Sequence, residues 1–171
     1  MTAEIIVLRL VHVLGGIFWV GSVTFNAAFL LPTLASLGPG AGPVMAGLQR
    51  RRMTTVLPTV AVLTILSGFR LMQVTSAGFA DNYFASGPGI AYSLGGLLAI
   101  TGFAVGMVFT RPAMARAGAL AAQMAGAADD AARATLGAEI AQLRSRGARG
   151  NAAMVALVGL AAVAMAVARY L

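Results

Sequence analysis

The sequence predicts an all-α membrane protein in which four transmembrane helices form an antiparallel bundle. Of its 171 residues, 59% are hydrophobic and 10% are charged, whereas soluble domains are about half apolar and a quarter charged. The mean hydropathy is +0.86. The chain also contains four apolar stretches, each matching or exceeding in length the ~20 residues that a helix needs to cross a bilayer. We therefore expect a single transmembrane domain surrounded by lipid.

Hydropathy and turn residues place the four spans at about residues 5–34, 54–74, 89–110 and 152–170. The first apolar run should remain as a span because no basic segment precedes it. GPGAGP at 38–43 predicts a turn, and 76–88, which includes Asp81, predicts a longer polar link. We expect Pro32 and Pro58 to end or kink helices. No internal repeat is evident.

The alanine-rich segment 111–149 predicts a helical hairpin between the third and fourth spans. Leu136, Ile140 and Leu143 recur at helical spacing. Asp129 and Asp130 follow a glycine and favour the start of a second helix, since acidic side chains stabilise a helix N-terminus. We expect the hairpin to extend the two spans into the cytoplasm.

The arginines predict the orientation of the bundle. Nine of the twelve basic residues lie in the two segments that the four predicted spans place on the same side of the membrane. They are Arg50, Arg51, Arg52, Arg111, Arg116, Arg133, Arg144, Arg146 and Arg149. Cytoplasmic loops are enriched in basic residues, so these segments should face the cytoplasm. Both termini should then lie on the outer side of a bacterial-type inner (plasma) membrane. This topology accounts for the net charge of +7, and we expect no nucleic-acid partner.

His12 is the only histidine and the first candidate functional residue. An ionisable group inside a membrane is costly unless a partner satisfies it. His12 shares a helix face with Gly16 and Trp19, and Gly15 lies beside them. Two interpretations stay open. The glycines serve helix packing while His12 bonds a neighbouring helix, or a haem b or porphyrin packs against Gly15 and Gly16.

Charged and sulfur-containing side chains at a similar depth extend the candidate site. Arg9 and Arg70 are candidates to pair with haem propionates, because guanidinium groups bind carboxylates well, although snorkelling to headgroups is the simpler alternative. Met72 and Met165 are predicted near the same membrane surface. Imidazole and thioether ligands suit Cu(I), so His12, Met72 and Met165 form a candidate copper site.

The first half of the chain resembles a known family. LVHVLGGIFWVG is followed by QRRRMTTVLPTVAVLTILSGFRLM. Over about residues 5–75 this order is similar to the CopD-like membrane proteins, which include copper-resistance D domains and HemJ-type protoporphyrinogen oxidases. The residues that carry the resemblance are His12, Trp19, Gly21, Arg51, Arg52, Pro58 and Gly68. It implies a bundle of four or more helices with His12 as a haem or metal ligand.

Other features restrict the function. HemJ-type proteins carry a further histidine and a lysine in their third helix, and this chain has neither there. A single histidine excludes bis-histidine haem within one chain. No cysteine, paired intramembrane carboxylates or phosphate-binding loop is present. We therefore predict a haem- or copper-binding CopD-like protein or, alternatively, a non-catalytic accessory subunit of a larger membrane complex. The partner would be another membrane protein or further copies of the chain.

Overall fold

The computed structural model describes residues 3–80, 82–124, 126 and 129–171, and regular structure in these ranges is helical. The long helices are α1 (Ala3–Ser36), α2 (Ala41–Arg50), α3 (Met53–Thr75), α4 (Gly87–Met124) and α5 (Asp130–Val167). Short 3₁₀ turns occupy Gly38–Gly40 and Ala168–Tyr170. Within these ranges, α1, α3, α4 and α5 are long and apolar enough to cross a membrane. The predicted fold class, an all-α membrane bundle, is confirmed.

Helix α2 was not predicted from the sequence. The turn expected at 38–43 is shorter, because α2 already begins at Ala41. Pro43 fits the first turn of α2, where backbone N–H groups have no partner within the helix. Gly38 has a φ of 53° and supplies the left-handed residue after α1. Asp81 of the predicted polar link lies outside the described residues.

The segment between the third and fourth spans continues α4 and α5. Each helix has 38 residues, about 57 Å at 1.5 Å per residue, against ~30 Å of hydrocarbon. Arg116 and Glu139 form an ion pair of 2.6 Å between the two extensions. The predicted start of α5 is confirmed, since the Asp129 carboxylate accepts a hydrogen bond from the Ala132 N–H.

Helices α4 and α5 pack antiparallel through a row of small residues. A Cβ on Gly95 would lie 2.8 Å from Met165 Cγ, one on Gly102 2.9 Å from Val158 Cγ1, and one on Gly106 2.6 Å from Met154 Sδ. Farther along, Gly150 fits against Thr110 and Gly147 against Met114. As the residue number of the contact rises along α4, the number of its partner on α5 falls, as expected for antiparallel helices. Small residues allow this approach, which supplies the packing energy of helices in lipid.

The four spanning helices share one core. Trp19 and Val23 of α1 cluster with Ala61 of α3 and Val158 of α5, and all four are almost fully buried. The Phe103 ring of α4 meets the Trp19 ring edge-on with centroids 6.2 Å apart, a favourable geometry for aromatic pairs. Helix α1 pairs with α3, α4 pairs with α5, and α3–α4 and α1–α5 contacts close the ring.

Two of the helices each contain a short π-helical segment. The first π segment is Asn26–Leu30 in α1, and the second is Gly106–Thr110 in α4. Leu31 N–H donates to Asn26 O, and Arg111 N–H donates to Gly106 O, each five residues back. A proline follows each segment two residues later. The wider turn accommodates a residue that has no N–H and that crowds the carbonyl four residues before it.

The π segments reveal an internal correspondence that the sequence interpretation missed. Leu-Gly-Gly at 14–16 recurs at 94–96, and Pro32 recurs as Pro112. The two π segments are likewise 80 residues apart, and each lies in the first helix of an antiparallel pair. The two segments share few identical residues, so their correspondence could not be recognised from the sequence alone. Each of the helix pairs α1–α3 and α4–α5 therefore begins with a helix that has a Leu-Gly-Gly, a π segment and a proline at the same spacing.

Candidate functional site at His12

His12 joins α1 to α3. Its Nδ1 lies 2.8 Å from the backbone carbonyl oxygen of Thr64. A carbonyl only accepts hydrogen bonds, so Nδ1 carries the proton and donates. The bond crosses between two helices that are long and apolar enough to span a membrane. His12 therefore satisfies one of its two ring nitrogens within the protein.

The position of Thr64 is explained by its neighbours. Its hydroxyl donates to Val60 O at 2.8 Å, within its own helix. A Cβ on Gly15 would lie 2.5 Å from Thr64 Oγ1, and one on Gly16 would lie 3.8 Å from Thr64 Cγ2. The space beside Gly15, where the sequence suggested a porphyrin face, is thus occupied by Thr64. Gly15 allows α3 to come close enough for the His12 bond.

Gly68 provides the space for the imidazole ring. A Cβ on Gly68 would lie 2.5 Å from His12 Cε1, 2.8 Å from Nδ1 and 3.4 Å from Nε2. Gly68 follows Thr64 by one helical turn, so acceptor and ring space lie on the same face of α3. Among the residues that the structure describes, none forms a hydrogen bond with Nε2. The ring is half-buried, with this nitrogen available to a ligand.

Arg70 pairs with a carboxylate of the protein. Its Nη2 lies 2.6 Å from Glu4 Oε1, and its Nε donates to the same oxygen at 2.8 Å. Nη1 donates to Gln73 Oε1 at 2.9 Å. The pair links the start of α1 to the end of α3. For Arg9, the other candidate propionate partner, the described part of the chain supplies neither an ion pair nor a side-chain hydrogen bond.

The remaining predicted site residues lie at other contacts. Trp19 is 4% exposed and packs in the four-helix core. Ser93 Oγ lies 4.0 Å from Met72 Sδ, and Met165 packs over Gly95. Met72 of α3 and Met165 of α5 thus both contact α4. The copper site of His12, Met72 and Met165 stays a prediction.

Sequence reasoning missed Thr64 as the partner of His12. The bonding atom is a backbone carbonyl, which every residue carries, so residue type gives no direct signal. Thr64 and Gly68 do form a small-xxx-small pattern in α3, which is typical of close helix contacts in membranes. Opposite Gly15 and Gly16, that pattern could have identified α3 as the partner helix.

The fold and this site define an integral membrane protein with a four-helix bundle and a histidine bridge within one helix pair. Comparisons with protein-family models, curated proteins and solved structures found no match. The resemblance to CopD-like proteins therefore stays a prediction. In the described ranges, no group of three histidine, cysteine or acidic side chains is placed to hold a metal ion.

Proposed function

We propose that this protein is a non-catalytic subunit of a larger membrane complex, in which His12 holds α1 against α3. The carrying observation is the His12 Nδ1 bond to Thr64 O. Close packing of the ring on Gly68 supports it. A buried polar group costs ~1–3 kcal/mol when its donor has no acceptor. Thr64 O removes that cost without a cofactor.

The test is purification of a tagged chain from its native membranes in mild detergent. We expect a second polypeptide in a fixed molar ratio, and preparations without haem or copper. A particle containing only this 17.3 kDa chain and detergent, with or without a cofactor, would contradict the subunit proposal. His12→Phe, which fills the space over Gly68 without donating, should weaken the bundle without changing any visible spectrum.

One feature of the ring favours a second candidate function, binding of haem or copper through Nε2. Histidine ligands usually donate their other ring N–H to a carbonyl or carboxylate, which orients the ring. His12 makes this type of bond, and Nε2 has no hydrogen bond to a described residue. Under this alternative, protein expressed with ample haem shows a Soret band that His12→Ala abolishes. Retained copper that His12→Ala or Met72→Leu releases would instead support copper binding.

The proposed subunit is oriented with both termini outside and the arginine-rich segments in the cytoplasm. The excess of arginine in 50–52 and 111–149 supports this orientation. The chain has no cysteine, so single cysteines report sidedness without background. In intact cells, the cysteine of Asn82→Cys should react with an impermeant maleimide. The cysteine of Ser145→Cys should react only after the cells are permeabilised. The reverse labelling would overturn the orientation.

A further inference from the structure

A groove with an unusual polar group lies between α1 and α5. Its volume is about 330 Å³, within the lower range of small-molecule sites. Four residues of α1 between Ala27 and Ala35 form one wall, and Ala148, Asn151 and Ala152 of α5 form the other. Except for Asn151, the lining side chains are apolar. None of them belongs to the His12 contact.

Asn151 is buried without a hydrogen-bond partner in the protein. The residue is 7% exposed, and no described residue bonds its side-chain amide. The amide atoms are not sealed in the interior, because only Thr110 Oγ1 is both fully enclosed and unbonded among the described side chains. The Asn151 amide is therefore accessible, and Asn151 is one of the residues that line the groove. A molecule bound there would supply the missing hydrogen bonds.

The first π segment alters the backbone hydrogen bonding beside the groove. Leu31 N–H donates to Asn26 O, and residue 32 is a proline without an N–H. In a helix, the Ala27 carbonyl would accept a hydrogen bond from residue 31 in α geometry or from residue 32 in π geometry. Ala27 lines the groove. Irregular backbone at membrane depth is tolerated where it lines a cavity, and π-helical turns are frequent at functional sites.

The second π segment packs against α5, the partner helix of its own pair. Its Gly106 is covered by Met154, and Thr110 packs on Gly150. Protein side chains thus fill the space beside that wide turn. Beside the first π segment, small alanines leave the groove open. The groove therefore opens between α1 and α5, which belong to different helix pairs.

The lining restricts the chemistry of the occupant. Asn151 lies where α5 changes from the arginine-containing part before residue 150 to the apolar part after it. A bound molecule would thus have a polar head group at Asn151 and an apolar chain along the alanines. No lining residue is charged, so a charged head would lose hydration without an opposing charge. The Asn151 amide both donates and accepts, and so does a hydroxyl, which makes the two groups complementary.

We propose that this groove binds an uncharged lipid with a hydroxyl head group, such as a long-chain alcohol or an acylglycerol. Asn151 bonds the hydroxyl, and the alanines of α5 and residues 27–35 of α1 contact the hydrocarbon chain. This site is independent of the proposed subunit function and of His12.

The experiment uses the full chain in lipid nanodiscs and a sixteen-carbon alcohol with a diazirine in its chain. After illumination, peptide mass spectrometry locates the label. We expect saturable labelling concentrated in 27–35 and 148–152, and competition by unlabelled hexadecanol. Asn151→Leu should weaken apparent binding about tenfold, the loss of roughly one buried hydrogen bond. Ala152→Phe, at an exposed small residue, should fill the groove and remove the saturable labelling.

Two controls separate this site from ordinary lipid contact. Thr101→Val changes a polar residue on the exposed surface of α4 and should leave labelling unchanged. A diazirine phospholipid should label all lipid-facing helices without saturating. Even, non-saturable labelling by the alcohol would overturn the proposal, as would saturable labelling that persists in both groove variants. A dimer that Ala152→Phe dissociates, with the label unaffected, would assign the groove to a second copy and also overturn it. If Asn151→Leu fails to fold, Ala152→Phe alone decides.

Discussion

The ring of His12 occupies the space that a side chain at Gly68 would fill, with Cε1 2.5 Å from the position of a Cβ there. Gly68 thus determines where the imidazole lies, and Thr64, one turn earlier, supplies the carbonyl that Nδ1 bonds. A glycine and a backbone oxygen on α3 therefore create a site for the single histidine of α1. The arrangement predicts that both the packing and the bond contribute to bundle stability.

Gly68→Ala should displace the imidazole and weaken its bond to Thr64. We expect the free energy of unfolding in detergent to fall by about 1–3 kcal/mol, as for other overpacked sites. Gly21→Ala is the matched control, because a Cβ there meets nothing within 4 Å. That control should be neutral or slightly stabilising, since alanine favours helix. Equal effects of the two substitutions would contradict the close fit.

Adjacent glycines in α4 provide a sharper comparison. A Cβ on Gly95 would lie 2.8 Å from Met165 Cγ and 3.2 Å from the Ala161 carbonyl oxygen, whereas Gly96 faces open space. Gly95→Ala should lower the unfolding free energy by about 1–3 kcal/mol, and Gly96→Ala should not. Chemical or thermal unfolding followed by circular dichroism measures both. A larger loss for Gly96→Ala would show that α4 and α5 pack in another register.

The Glu4–Arg70 ion pair should contribute little stability. The two side chains are 47% and 49% exposed, and exposed pairs contribute about 0.2–1 kcal/mol. Glu4→Gln should therefore lower the unfolding free energy by no more than about 1 kcal/mol, with a smaller effect at high salt. A loss well above this range would show that Arg70 is held in a site that excludes solvent.

Tyr83, in the link between α3 and α4, should make the fold sensitive to alkali. Burial, with a further contribution from Tyr92, raises the pKa of Tyr83 above its ordinary value. The folded protein therefore disfavours the phenolate. The resulting stability is complete below the ordinary tyrosine pKa of about 10 and is lost as pH rises through the folded-state pKa. Unfolding measured across this range should show a smaller alkaline loss for Tyr83→Phe. An unchanged profile would contradict the shift.

Helix periodicity and hydropathy were sufficient to predict the four spans and the shared face of His12, Gly16 and Trp19. Both properties depend on side-chain type and spacing along one helix. They do not specify which helix that face meets. The sequence thus made Trp19 a candidate cofactor contact, which stays a prediction, and could not show that Trp19 packs with Val158 and Phe103.

The remaining features depend on backbone atoms or on relations between distant segments. The Thr64 carbonyl has no signature in the sequence. Pro32 predicted a kink or an end, whereas α1 continues through it by means of a π turn. The copper prediction relied on depth alone. Depth does not fix rotation about a helix axis, so the meeting of His12, Met72 and Met165 stays a prediction.

His12 donates through Nδ1 to the Thr64 carbonyl, and we propose that the ring needs no cofactor. Because the chain has one histidine, ¹⁵N-histidine labelling gives a single ring to observe by NMR of the protein in lipid. We predict a protonated Nδ1 with a hydrogen-bond coupling or close contact to the ¹³C-labelled carbonyl of a threonine, and an Nε2 signal free of metal. A ring protonated only at Nε2, or an Nε2 signal shifted by haem or copper, would contradict the account.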